Sequence, residues 1–483
     1  MESSMSPSDF VERESAVLAL SMVGDLSMGQ PFDQSRRTAR LVQLLARTCN
    51  GDGEHVEVGR QVALLRWSGC TANAEGFTRL LGDDVEGRNA MLSHTLGAAG
   101  LRAMRRSTPL AQVHCEVSGD IARTLGLGAG VESGLRNVFE QFDGGGRPFG
   151  LSHPDVPEVV YQVLLAGDLE ILSRVHGIDV ALEWIASMRD QRYPKALAGE
   201  LLRHAADWLE QLRLPAQMPA SPLKEQGNVP LTLVGDVIDL KLPWLAGYSR
   251  RSASLVRAAA RLSGLSQTST DQLGQAALIH GIGKAAVPNR IWNTPAALLE
   301  GDLEQTRLVP YWTSRACSQI PALAESGQLA AHAYERLDGS GCFRNLSASS
   351  LNAEHRLLAV ALAWEALRSQ RPWRPAFSED ETTRLLLEEV AQGRFDSRAC
   401  QAVIAAARGE TSVPAAKANG SLLSERETEI LRCISQGGSN KEVARQLQIS
   451  PSTVRTHVES VFRKLQCSTR AAATLKALTL GLI

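Results

Sequence analysis

The sequence predicts an all-α protein: two tandem helical domains followed by a small four-helix module. Three observations carry this. Aromatic residues make up only 5% of the 483 residues, while good helix formers such as Ala, Leu and Arg are abundant. Apolar residues recur at helical spacing in each candidate element. Helix start signals punctuate the C-terminal stretch.

Taken in order, the chain first reveals an internal repeat. Residues 34–47 read QSRRTARLVQLLAR and residues 248–261 read YSRRSASLVRAAAR, 214 positions on. QVALLRWSGC at 61–70 and QAALIHGIGK at 275–284 share that offset. FEQFDGGGRP at 139–148 and YERLDGSGCF at 334–343 follow, offset by 195. Three matches in one order imply two copies of one domain, at 1–213 and 230–410. Helical spacing marks 41–46, 63–65 and 201–212 in the first copy, and 255–262, 276–279 and 385–390 in the second. The Pro-rich, polar stretch 214–230 reads as a linker, and GETSVPAAKANGS at 409–421 as another.

The third domain, 421–483, reads as four short helices. Ser424 with Glu427 and Ser439 with Glu442 form capping boxes. Ser450 is an N-cap, and Pro451 follows at the first helical position. Gly437 and Gly438 break the first helix, and a one-residue hinge around Ile449 sets a tight turn. Val454, Val458, Val461 and Leu465 then make one buried stripe. The opposite face carries Ser452, Arg455, Thr456, Glu459 and Arg463, groups suited to base edges and phosphates of a major groove. Lys441, Arg445 and Lys464 are phosphate candidates. From Leu423 onward nine Lys/Arg stand against five Glu, in a chain whose net charge is −1. The basic excess therefore lies in this module.

This module resembles the LuxR-type helix-turn-helix, on SERE at 424–427, NKEVA at 440–444, ISPSTVRTHV at 449–458 and KL at 464–465. The resemblance implies DNA contacts from Thr453, Arg455 and Thr456 and a dimerisation helix at 468–480. The expected DNA-binding set is Lys441, Ser452, Thr453, Arg455, Thr456, Glu459, Arg463 and Lys464.

The repeated domain resembles the HD superfamily, its HD-GYP subgroup above all. The carriers are IHGIGKAAVP at 279–288, ERLDGSG at 335–341 and RPWRPA at 371–376. Active members hold two or three metals on histidines and aspartates and hydrolyse phosphodiesters. Here those positions differ. In the second copy the first histidine is Tyr248, the HD pair is His280–Gly281, the HPxxG histidine is Val309, the HH pair is Ala333–Tyr334 and the late aspartate is Leu362, with His332 one residue out of register. In the first copy Gln34, Arg66–Trp67 and Val138–Phe139 stand at the corresponding places, with Asp168 near the late aspartate. The resemblance thus implies the fold, while the residues predict no metal, no cofactor, no catalytic residues and no enzymatic activity. The Glu-x-x-Asp-Gly-x-Gly stretches that remain read as a cap and tight turn, and His280 alone as a hydrogen-bonded core histidine.

The aromatics Trp67, Phe139, Tyr248, Tyr334 and Trp364 either fill the vacated cavities or line a pocket. Arg66 beside Trp67 suits a planar anion such as a nucleotide. The candidate pocket residues are Arg66, Trp67, Tyr248, His280 and Tyr334.

The N-terminus lacks the basic and apolar regions of a signal peptide, and no apolar run is long enough to span a bilayer. Eight cysteines without a Cys-x-x-Cys fit a reducing cytoplasm. No P-loop is present. The expected function is a dimeric transcriptional regulator that binds double-stranded DNA at an imperfect palindrome. Its HD-like repeats would sense a small-molecule effector, dimerise, or both, with RNA polymerase as a further contact and no membrane partner. The alternative is a metal-dependent cyclic-dinucleotide phosphodiesterase with a DNA-binding tail.

Overall fold

The computed structural model describes residues 9–49, 51–213, 227–412, 423–465, 467 and 469–479. The chain divides into two compact units, Met1–Ser412 and Val413–Ile483. The expected linkers at 214–230 and 409–421 fall largely outside the described residues, as do both ends of the expected helix 468–480.

The first unit is helical apart from two short strands. β1 (Phe10–Glu12) pairs antiparallel with β2 (Asn228–Pro230), Val11 opposite Val229. After β1, α1 (Arg13–Ser27) runs through the core, with Ala16, Ala19, Leu20, Met22 and Val23 all fully buried. α2 (Gln34–Thr48) and α3 (Gly53–Leu65) pack on each other and on the helix Glu158–His176. Tyr248–Leu262, Gln267–Ile279 and Ala353–Arg368 repeat that arrangement. Asp52 caps α3 through the His55 amide, and Ser266 caps Gln267–Ile279 through the Ser269 amide.

The two halves share their fasteners. Asp25 accepts the amide and hydroxyl of Ser35, and Asp239 accepts those of Ser249. The Gly69 amide donates to Ser118 Oγ and the Gly283 amide to Thr313 Oγ1, each at 3.0 Å. Buried Glu140 accepts the amides of Phe149 and Leu151 at 2.8 and 2.9 Å, and Glu335 those of Arg344 and Leu346 at the same distances. Asp143 and Asp338 each cap the tight turn that follows, where Gly144 and Gly339 have φ of +85° and +80°. The Glu-x-x-Asp-Gly-x-Gly stretch is therefore a loop clasp, as its residues predict.

The second unit holds four helices among its described residues: Glu425–Ser435, Asn440–Gln446, Pro451–Lys464 and Arg470–Thr479. Both capping boxes form. The turn into the third helix is set by Gln448 at φ +52°, one residue before Ile449. Val454, Val458, Val461 and Leu465 pack with Ile430, Leu431 and Val443 into one core. The first helix is tied to the third: Glu427 takes Lys464 Nζ at 2.6 Å and Ser460 Oγ at 2.7 Å.

Candidate functional sites: a helical DNA-reading face and a cavity in the first copy

On Pro451–Lys464, Ser450 accepts the Thr453 amide at 3.1 Å and so fixes the helix start. The same helix that buries its valines exposes Ser452, Thr453, Arg455, Thr456, Glu459 and Arg463. Arg455 Nε lies 2.9 Å from Glu459 Oε1, with both side chains largely in solvent. Lys441 is exposed on the preceding helix. Lys464 differs from the other predicted contacts, because its ammonium is held by Glu427. The Glu427 carboxylate accepts from Lys464 Nζ, Ser460 Oγ and the Ser424 backbone amide. Against the effect of burial they hold its carboxyl down at about 2.

In the body, the pocket residues predicted from sequence fall in two separate places. Tyr248, His280 and Tyr334 cluster in the second copy, with the His280 ring 5.7 and 6.3 Å from the two tyrosines. Tyr248 donates its hydroxyl to the Leu362 carbonyl, which joins the first-histidine and late-aspartate positions. His280 Nδ1–H donates to the Ala277 carbonyl at 2.7 Å, leaving Nε2 to accept from Lys284 Nζ at 3.2 Å. Burial, helped by the Lys284 charge, pushes His280 well below the ordinary histidine range. Burial also lowers Lys284 to about 8. The one imidazole nitrogen that would face a metal thus already faces an ammonium group. Among the described residues, no three His, Cys, Asp or Glu side chains converge as a metal requires. This cluster of the second copy, as described, lacks the donor set of a metal centre.

Arg66 and Trp67 stand elsewhere, in a cavity of about 370 Å³ in the first copy. Val138, Phe139 and Gly167 share its walls. So does His114, which sequence reasoning missed. The 195-residue offset, applied to Val309, lands on His114. Geometry agrees: a Cβ on Gly69 would meet the His114 carbonyl, as one on Gly283 would meet that of Val309. The cavity therefore lies where the resemblance to HD-type proteins puts the first copy's counterparts of their ligand positions. The second copy fills the same positions with Tyr248, His280, Lys284 and Tyr334.

Arg66 is fully buried in this cavity wall. It donates to Thr38 Oγ1 at 3.1 Å, lies 4.6 Å from the Trp67 ring centre and packs over Gly167, where a Cβ would collide with its Nη1. Its Nε has no hydrogen-bond partner. Burial lowers Arg66 to about 10, so it stays protonated at neutral pH. Trp67 stacks on Phe139 at 6.1 Å, and His114, held near 4 by burial, packs on the same ring. Arg88, Arg147 and Arg192 also line the cavity, and Asp168, paired with Arg192, is the one acid that does.

Comparison with known proteins places both units. Residues 232–399 match the HD domain family, and residues 421–477 match the bacterial regulatory proteins of the luxR family. The chain thus carries an HD domain and a C-terminal LuxR-type DNA-binding domain. It is 26% identical over 299 residues, 58% of its length, to the 3'3'-cGAMP-specific phosphodiesterase 3 of Vibrio cholerae, and spans 64% of that relative. Over 172 residues it is 28% identical to the 3'3'-cGAMP-specific phosphodiesterase 1 of the same organism, spanning 40% of it. Its C-terminal module is 46% identical over 55 residues, 11% of the chain and 26% of the relative, to the nitrate/nitrite response regulator NarP of Escherichia coli. The crystal structure of a cyclic GMP-AMP phosphodiesterase of V. cholerae matches the fold with a TM-score of 0.59 and 20% identity, over 83% of this chain and 98% of that one. These findings correct one expectation. The residues at the metal positions predict no enzymatic activity, but a relative that shares 58% of the chain is a phosphodiesterase. Lack of activity is therefore not retained, and phosphodiesterase chemistry is the activity to assay. No helix among the described residues is long and apolar enough to cross a membrane.

Proposed function

We propose that the chain is a DNA-binding transcriptional regulator. It acts as a homodimer on an imperfect palindrome, and its body, built from two copies of one helical domain, senses an effector and sets the dimer. The observation that carries this is the helix Pro451–Lys464. Its valines are locked into a core while Ser452, Thr453, Arg455 and Thr456 face solvent from its first two turns. A helix held rigidly by one face and polar on the other is what a major groove accepts. Selection from random duplexes with the full-length chain tests it. Enrichment of an inverted repeat with half-sites about one helical turn apart is expected, and a pool without enrichment would sink the reading.

A second reading, a cyclic-dinucleotide phosphodiesterase with a DNA-binding tail, is favoured by the relatives described above. Incubating the full-length chain with 3'3'-cGAMP and supplied manganese or iron, and following linear products, decides it. Turnover above a chelator-treated control supports this reading, and none removes it.

A further inference from the structure

We infer that the cavity of the first copy is a binding site for one planar heteroaromatic phosphate of nucleoside monophosphate size. This deepens the sensing part of the function proposed above and does not depend on DNA binding.

The argument starts from charge. Four arginines line the cavity against a single aspartate. Asp168 engages Arg192 through two hydrogen bonds. Arg88 is occupied by the carbonyls of Ser27 and Cys70 and by Asn73, and Arg147 by Met104 O and Ser107. Arg66 is different. Among the described residues it has no carboxylate within ion-pair distance, its Nε is unpartnered, and its one side-chain acceptor is a hydroxyl. The charges of Asp25, Glu170 and Asp168 act on it from beyond ion-pair distance and do not outweigh its burial, so an incoming anion in direct contact would offset part of the desolvation. A dianion matches a surplus of positive groups better than a carboxylate does, and Arg suits phosphate through its planar fork.

Shape supplies the rest. Trp67 and Phe139 form an aromatic wall beside Arg66, so a ring can stack where the phosphate meets the guanidinium. Met28, Met91 and Met104 line other parts of the cavity, and thioether side chains adapt to the outline of a ring. At about 370 Å³ the cavity lies near the small end of ligand sites, roughly 300–1,000 Å³. That volume takes one base, one sugar and one phosphate rather than a ring of two nucleotides.

The test is isothermal titration of the full-length chain with guanosine and adenosine monophosphates, the matching nucleosides, inorganic phosphate and 3'3'-cGAMP. At least one monophosphate should bind with one site per chain, and its nucleoside about ten-fold or more weaker, the scale of one lost charge-assisted bond. Arg66→Gln should erase the difference between nucleotide and nucleoside. Should Arg66→Gln fail to fold, Gly167→Ala, whose Cβ would displace the guanidinium while leaving the charge, should shrink the same difference. Equal binding of nucleotide and nucleoside, tighter binding of 3'3'-cGAMP than of any monophosphate, binding of inorganic phosphate alone, or no heat with any probe would each overturn the inference. DNA selection on the same protein reports separately, so failure here leaves the regulator reading standing.

Discussion

Asp84 Oδ2 of the first copy lies 2.6 Å from Lys241 Nζ of the second, and neither side chain is exposed to solvent. The other oxygen, Oδ1, accepts the Asn289 amide at 2.7 Å, and Arg88 Nη1 stands 3.8 Å from Oδ2. Burial opposes charge here, but Lys241 and Arg88 prevail and hold the Asp84 carboxyl below its usual range. Removing one member of a buried charge cluster leaves the others uncompensated. Asp84→Ala should cost about 3–5 kcal/mol of stability, measured by urea denaturation. A double change, Asp84→Asn with Lys241→Met, should recover much of that loss. An Asp84→Ala loss under about 1 kcal/mol would mean that the two copies are held together chiefly by apolar packing.

Arg455 is exposed on the helix Pro451–Lys464 and pairs with Glu459, on the face proposed to read DNA. Arg455→Ala should weaken specific binding by roughly 1–3 kcal/mol and relax preference at one base pair. Glu459→Gln should leave the module folded and raise affinity for all duplexes, since it removes an acid from the surface proposed to face DNA. Fluorescence anisotropy with the selected palindrome and a scrambled one separates the two effects.

Lys441 is exposed on the helix Asn440–Gln446, and the proposed DNA complex gives it a phosphate contact without base reading. Lys441→Ala should weaken selected and scrambled duplexes alike, and should flatten the slope of log affinity against log salt by about 1. A loss confined to the selected duplex would place Lys441 at a base edge instead.

Glu427 gives the C-terminal module an acid limit. Its folded carboxyl sits at about 2, below the ordinary 4.5. A depressed carboxyl stabilises the fold above its unfolded value and loses that contribution as pH falls through the folded one. The stabilisation is therefore complete above about pH 4.5 and gone near pH 2. Its size is about 1–2 kcal/mol once the partial exposure of Lys464 is allowed for. Glu427→Gln should lower the denaturation midpoint at pH 7 and flatten its acid dependence. Equal acid slopes in both proteins would contradict the assignment.

The helix starts and the core of the C-terminal module were legible in the sequence because their determinants are local. Ser424 with Glu427, Ser439 with Glu442 and Ser450 act within one turn, and the valine stripe needs only helical periodicity. The turn residue was misplaced by one, since a non-glycine at positive φ, Gln448, leaves no compositional mark. In the body, the repeat was readable, and both loop clasps follow from their motif. The cavity was not. Whether a vacated position is filled depends on side chains far apart in the chain. Lys284 reaches under Tyr248 in one copy, while Cys70, Gly167 and His114 leave room in the other. His114 was within reach of the second offset, but only tertiary packing shows why it counts. The Asp84–Lys241 cluster was invisible too, because nothing local distinguishes a buried Asp–Lys pair from two surface charges.

Glu140 and Glu335 bind matching loops in the two halves. Each holds its loop by backbone amides alone, nine and eleven residues downstream. An amide is the same whatever side chain follows it, so the clasp is indifferent to most of what it encloses. Arg147 and Pro148 stand in one copy where Cys342 and Phe343 stand in the other, on matching frames. The segment is in effect an interchangeable part. A chimera carrying residues 140–151 in place of 335–346 should close on the same carboxylate and fold.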